Sequence, residues 1–329
     1  MARNHIRNRI LTSWWLRHVV IGTIAFVMIF LFALYLIPAS ALSGYVHTHV
    51  SSANNFTPEE FGLTATPFSV TTDDGLELKG EEFRANHTKG VVIMTPGLYN
   101  PVASALYSHV KLFLQNDLSV IVYSPRAHSE SEGKVVGHGI TEVADINAMI
   151  EYVRSFTAYL NLPIILVGWN TGAATSINAA AENEMVSAVI AIGSYANTFD
   201  YFAELMQEEA QVPEFFQSIG EDFLKLYLRT TYGKTANSTS PDSSMEALVD
   251  CPVLFVHSTG DPYISYTESQ TLFEKANSDS EIWIRDIDYS YVTGYFINLN
   301  KDPEYCEKLT GFLNQLSFFA PAEETPTEE

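Results

Sequence analysis

Pro163-Ile164-Ile165-Leu166-Val167-Gly168-Trp169-Asn170-Thr171-Gly172-Ala173-Ala174 joins two kinds of structure through a turn too short to be a loop. Pro163 to Val167 is a short continuous apolar run, the pattern of a strand buried on both faces. Thr171 to Ala181 has helical period. Gly168 and Gly172 put small residues on either side of the junction. Asn170 stands between them, and asparagine is among the non-glycine residues that best tolerate positive φ.

Working outward, the same alternation recurs. Phe68 to Thr72 and Leu76 to Phe83 alternate around Asp73-Asp74-Gly75, a β-hairpin. Apolar runs follow at Val91–Met94, Leu118–Tyr123, Val186–Ile192, Pro252–Val256 and Glu281–Ile287. Helical periods lie between or after them at Ala103–Leu114, Glu142–Tyr159, Ser265–Ala276 and Asp302–Phe318. Buried strands alternating with helices predict a mostly parallel sheet covered on both faces, an α/β domain over residues 67–318. Residues 198–248 break the rhythm. They are rich in Phe, Tyr, Glu and Gln and read as helices without strands, a cap inserted over the C-terminal edge of the sheet. Its aromatics either pack the cap onto the core or line an apolar pocket.

Val19 to Ile37 carries no charge and is long enough to cross a bilayer as a helix. Trp14, Trp15 and Tyr35 lie at its ends, where interfacial aromatics belong. The segment 19–42 therefore reads as a membrane anchor, with 1–18 as a basic tail and 43–66 as a polar connector. A cleavable signal peptide competes through Ala39-Ser40-Ala41, but the apolar run exceeds the usual signal core. Arg3, Arg7, Arg9 and Arg17 precede the run, and no acidic residue occurs before Glu59. By the positive-inside rule the N-terminus is cytoplasmic and the main domain extracytoplasmic. The rest of the chain holds 14 basic and 39 acidic residues, a net of −25, which repels nucleic acid. Residues 319–329 read as an acidic disordered tail. Cys251 and Cys306 are the only cysteines, too few to define a disulfide framework, and no cysteine or histidine spacing marks a metal or cofactor site. His47 and His49 read as solvated.

The order of elements resembles the α/β-hydrolase superfamily, and most of all the bacterial membrane-anchored proteins related to lysophospholipases and serine aminopeptidases. Thr71-Thr72-Asp73-Asp74-Gly75-Leu76-Glu77-Leu78-Lys79-Gly80 is similar to that family's opening hairpin. Pro96-Gly97-Leu98 falls where the family has His-Gly. Ser124-Pro125-Arg126-Ala127-His128-Ser129-Glu130-Ser131 resembles D-x-R-G-H-G-x-S with the aspartate and both glycines lost.

The resemblance makes Gly168-Trp169-Asn170-Thr171-Gly172 the counterpart of the nucleophile elbow G-x-S-x-G, with Asn170 in place of serine. Leu98 and Thr171 would border the oxyanion hole. Asp261, in Ser258-Thr259-Gly260-Asp261-Pro262, takes the place of the orienting acid; a loop carboxylate capping the next helix is the plainer reading. The base belongs in Asp288 to Tyr295, yet no histidine follows His257. An amide is no acyl-forming nucleophile, and an aspartate without a histidine has nothing to orient. These residues imply a catalytically inactive hydrolase-fold protein whose partner is a small apolar molecule or an envelope protein. The alternatives are an ester or acyl hydrolase with a non-standard constellation, drawing on His128 or His138, and a purely structural envelope module.

Overall fold

The computed structural model describes residues 2–51, 55–97, 102–210, 217–233, 236, 239–290 and 292–319. Eight strands form one sheet in the order β1-β2-β4-β3-β5-β6-β7-β8. The hairpin β1 (Thr66–Thr71) and β2 (Glu77–Phe83) is antiparallel, and β2 pairs antiparallel with β4 (Leu118–Tyr123). All later pairings, through β3 (Gly90–Thr95), β5 (Ile164–Trp169), β6 (Val186–Ile192), β7 (Val253–Ser258) and β8 (Glu281–Arg285), are parallel.

Period two explains why the central strands read as unbroken apolar runs: both faces are buried. Val92, Met94, Val120, Val122, Ile165, Val167 and Trp169 enter one core with Tyr107 and Phe113 of helix α2 (Tyr107–Leu114) and Leu309 and Phe312 of the C-terminal helix, Pro303–Gln315. Val91, Ile93, Ile121, Tyr123, Ile164 and Leu166 enter the other with Ile146 and Met149 of α3 (Val143–Arg154) and Ile177 of α4 (Thr171–Glu182). Arg126 ties the strand-end loops together. It donates to Asp145 from its backbone N–H and from Nε, each at 2.8 Å, and to Asp74 from its guanidinium at 2.7 and 3.1 Å. Ala127 and Ser129, which stand where the resembled motif has glycines, take positive φ of 58° and 48°.

The cap is helical among the described residues: α5 (Thr198–Ala210), α6 (Gln217–Tyr232) and α7 (Pro241–Ser244). Phe215 and Phe216 lie outside the described residues. Cys251 and Cys306 are both free thiols.

The N-terminal helix α1 runs from Ala2 to Val46, longer at both ends than the apolar segment predicted for it. Its stretch Trp14–Val46 is apolar enough to cross a membrane. Residues 14–33 are exposed on every side. From Leu34 onward the character changes: Leu34, Pro38, Leu42 and Val46 are buried at four-residue spacing, a single stripe along one face. Twenty residues suffice for a bilayer core of roughly 30 Å, so the exposed part can span while the striped part packs on protein. Leu42 and Val46 enter one cluster with Tyr201, Phe202 and Leu205 of α5, Leu224, Tyr227 and Leu228 of α6, and Ala174 of α4. Tyr35 shares a hydrogen bond of 2.9 Å with Thr230. The connector continues the attachment: Val50 pairs with the 127–129 loop, and the His49 ring bonds the carbonyls of Ser129 and Gly133 at 2.8 and 3.2 Å, although it was expected to be solvated. The cap aromatics thus do chiefly what apolar side chains usually do, filling a core, but one shared with the anchor.

Leu42→Ala should therefore lower stability by about 2–5 kcal/mol, as expected for a cavity in a packed core, while Ile24→Ala in the exposed span should stay within about 0.5 kcal/mol. Thermal unfolding of the full chain in detergent checks both.

Candidate functional site

The site forms where the C-terminal ends of β3, β5, β6 and β7 meet, the edge at which open α/β sheets place their ligands. At its centre is the strand–helix turn. Asn170 has φ 50° and ψ −115°, so the residue at the crowded apex does carry positive φ. A Cβ at Gly168 would collide with the Gly172 carbonyl, and one at Gly172 would collide with the backbone of Thr95 and stand 2.6 Å from the Pro96 carbonyl. Both glycines are thus required by close approach of backbone to backbone. The Asn170 N–H donates to the Ile192 carbonyl at 2.8 Å, and its own carbonyl accepts from Ala173 and Ala174. The turn is pinned at both ends.

The Asn170 side chain lies between two glycines. Its Oδ1 is 2.9 Å from where a Cβ on Gly97 would sit, and its Nδ2 is 3.4 Å from the equivalent point on Gly193. Asp261 Oδ2 is 3.6 Å from that same Gly193 point. Asn170 and Asp261, 91 positions apart in the numbering, therefore border one spot. Thr171 opens α4 and lines a narrow crevice with Pro96, Gly97, His128 and Thr175. Leu98, expected beside it, lies outside the described residues, as does Tyr291.

The Asp261 side chain is fully buried. Oδ1 accepts the backbone N–H groups of Tyr263 (2.9 Å) and Ile264 (3.1 Å), while Oδ2 has no hydrogen-bond partner. The helix-capping alternative does not hold, because Ser265 caps the following helix, α8 (Tyr266–Phe273). Burial raises the Asp261 pKa above the usual carboxylate range, against the two N–H donors that lower it. His257 Nε2 is 3.7 Å from Oδ2, but its N–H is directed at the Ile264 carbonyl (2.9 Å) and Nδ1 accepts from Ser269 (2.7 Å). Burial pushes His257 down to about 4, so at neutral pH it is an uncharged ring and not an ion-pair partner.

Three further histidines make hydrogen bonds of their own. His109 is buried beneath the turn, 4.9 Å from the Trp169 ring, bonds Tyr305 at 3.0 Å, and is pushed down to about 3 by burial. His138 donates from Nε2 to the Tyr45 carbonyl at 3.1 Å and accepts from Tyr201 at 3.0 Å. His128 donates from Nδ1 to the Arg126 carbonyl at 2.7 Å and reaches the crevice of Thr171. The turn after β8 runs beside Gly260, with Asp288 Cα 2.6 Å from where a Cβ there would sit, so it passes next to the residue that precedes Asp261. It contains no histidine. Among the described residues no cluster of three or more His, Cys, Asp or Glu can hold a metal.

Compared with known proteins, the fold has many counterparts. The structure superposes on the Pyrococcus furiosus esterase Pf2001 with a TM-score of 0.63 and 20% identity, covering 81% of this chain and 98% of the esterase. The chain has the α/β-hydrolase fold. The same fold in Pyrococcus horikoshii acylaminoacyl peptidase gives a TM-score of 0.59 at 15% identity, over 80% of this chain and 43% of the peptidase. In sequence, the chain is 26% identical over 227 residues to the uncharacterized protein YqkD of Bacillus subtilis, spanning 68% of this chain and 72% of that protein. No protein-family profile matches the chain.

Buried neutral histidines make stability pH-dependent. In the unfolded chain each takes up a proton below about 6.5, whereas in the fold His257 does so only near 4 and His109 only near 3. The contribution of these two histidines is thus full above pH 6.5 and lost as pH falls through this window, by about 1.4 kcal/mol per pH unit for each. Melting temperature against pH from 8 to 4 should fall with acidification, and His257→Gln should flatten the slope.

Proposed function

We propose that this chain is a membrane-anchored α/β-hydrolase-fold protein that binds a small apolar molecule or a partner protein and does not run serine-hydrolase chemistry. One observation carries the reading. At the turn where this fold presents its nucleophile stands a carboxamide, and the nearby buried Asp261 has an oxygen with no donor on it. A nucleophile–base unit works as one, so the loss of either member costs roughly 10⁴–10⁶ in rate, about as much as losing both. Here the serine is replaced and the base position has no histidine. The anchor supports a membrane location, since the exposed span of α1 has the length and composition to cross a bilayer.

A second reading rests on His128, which lines the same crevice as Thr171. It would make the chain an ester or acyl hydrolase with a hydroxyl nucleophile at the start of α4. The resemblance to esterases and peptidases fits either reading, because it concerns the fold.

A fluorophosphonate probe separates the two. The full chain, retained in membranes through an alkaline carbonate wash and then extracted in detergent, should show no covalent labelling. Labelling that maps to Thr171 would overturn the first reading in favour of the second.

A further inference from the structure

The spot over Gly193 is bounded by two polar atoms of opposite character. Among the described residues, and apart from its own chain neighbours, the atoms within 4 Å of it are Asn170 Nδ2, at 3.4 Å, and Asp261 Oδ2, at 3.6 Å. Nδ2 is a donor and an ionised Oδ2 is an acceptor. The two do not bond each other, because Oδ2 has no partner at all. The amide orientation is itself consistent with the charge nearby: Nδ2 lies on the Asp261 side and Oδ1 on the Gly97 side. An orphaned acceptor in a fully buried carboxylate is costly, on the order of 1–3 kcal/mol, unless something donates to it.

One atom can answer both groups only if it donates and accepts. A hydroxyl oxygen does so; an ammonium cannot accept from Nδ2, and a carboxylate cannot donate to Oδ2. The surroundings fit an apolar body behind that group. Ile264, whose N–H is on Asp261, belongs to the cap cluster, and Tyr195, two residues beyond Gly193, belongs to it too. Gly193 has φ 66°, which favours glycine, and a Cβ there would stand in ordinary contact with both polar atoms.

We propose that Asn170, Asp261 and Gly193 form a hydroxyl-recognition subsite, and that the ligand of this protein is an apolar alcohol whose O–H donates to Asp261 Oδ2 while its oxygen accepts from Asn170 Nδ2. The proposal rests on the binding reading above and narrows it to one chemical class. Asp261 here is a ligand-holding group, and Asn170 contributes the donor.

The test uses full-chain protein in lipid nanodiscs at pH 8, with empty nanodiscs as reference. Saturation-transfer NMR compares 1-pentanol, 2-pentanone, pentylamine and pentanoate. Pentanol should bind saturably and at least about tenfold more tightly than the other three, the ratio expected for one hydrogen bond lost. Asp261→Asn keeps an oxygen for the Tyr263 and Ile264 N–H groups and turns the second position into a donor. It should reverse the preference toward 2-pentanone, an outcome that mere loosening of the fold would not produce. Gly193→Ala should abolish discrimination by filling the spot. Equal binding of all four probes overturns the subsite but leaves the binding reading standing. Absence of pentanol binding overturns the subsite, and if it comes with fluorophosphonate labelling it overturns both.

Discussion

The crowding of backbone on backbone between Gly168 and Gly172 is the constraint from which the rest of the site follows. The strand has to stop and the helix has to start within reach of the Thr95 and Pro96 backbone, so there is no room for side chains at either glycine. The residue at the apex must accept φ near 50°, an unfavourable conformation costing on the order of 1–3 kcal/mol. Asparagine meets that demand at low cost without supplying a nucleophile. Turn geometry and chemistry are therefore separable requirements at this position, and Asn170 meets the first. The aligned strand ends then bring Gly193 and Asp261 to the same place whatever the apex side chain is.

A second dependence concerns the membrane helix. Its last turns belong to the cap core, with Leu42 and Val46 fully buried against α5, α6 and Ala174, the latter one turn into the helix that starts at Asn170. The cap and the C-terminal end of α1 therefore share one packed core. His138 and Tyr232 extend the seam, through the Tyr45 carbonyl and the Val136 carbonyl respectively.

The sheet was legible in the sequence because its strands are buried on both faces. Each apolar run, from Val91–Met94 to Glu281–Ile287, corresponds to a strand, and the hairpin at Asp73-Asp74-Gly75 supplies the antiparallel edge. The positive φ of Asn170 and its convergence with Asp261 followed from motif order. Other features were hidden for physical reasons. Hydropathy cannot tell an apolar residue facing lipid from one facing protein, so the change at Leu34 was invisible within Val19 to Ile37. The bonding of His49 to the 129–133 loop, and of His109 to Tyr305, joins residues far apart in sequence and needs coordinates. Asp261 looked equally suited to capping a helix; only the fold shows its two N–H donors to be those of Tyr263 and Ile264, with Ser265 as the cap.

The central claim is that the fold keeps its architecture while lacking a nucleophile–base unit. The most direct measurement is turnover of a chromogenic short-chain ester by Asn170→Ser and by Asn170→Ser combined with Ser290→His, in the turn after β8. The account predicts background rates for the single variant, because nothing there takes the serine proton, and a rise above background only when the histidine is added. Efficient turnover by Asn170→Ser alone would contradict it, since a base such as His128 would then already be in reach.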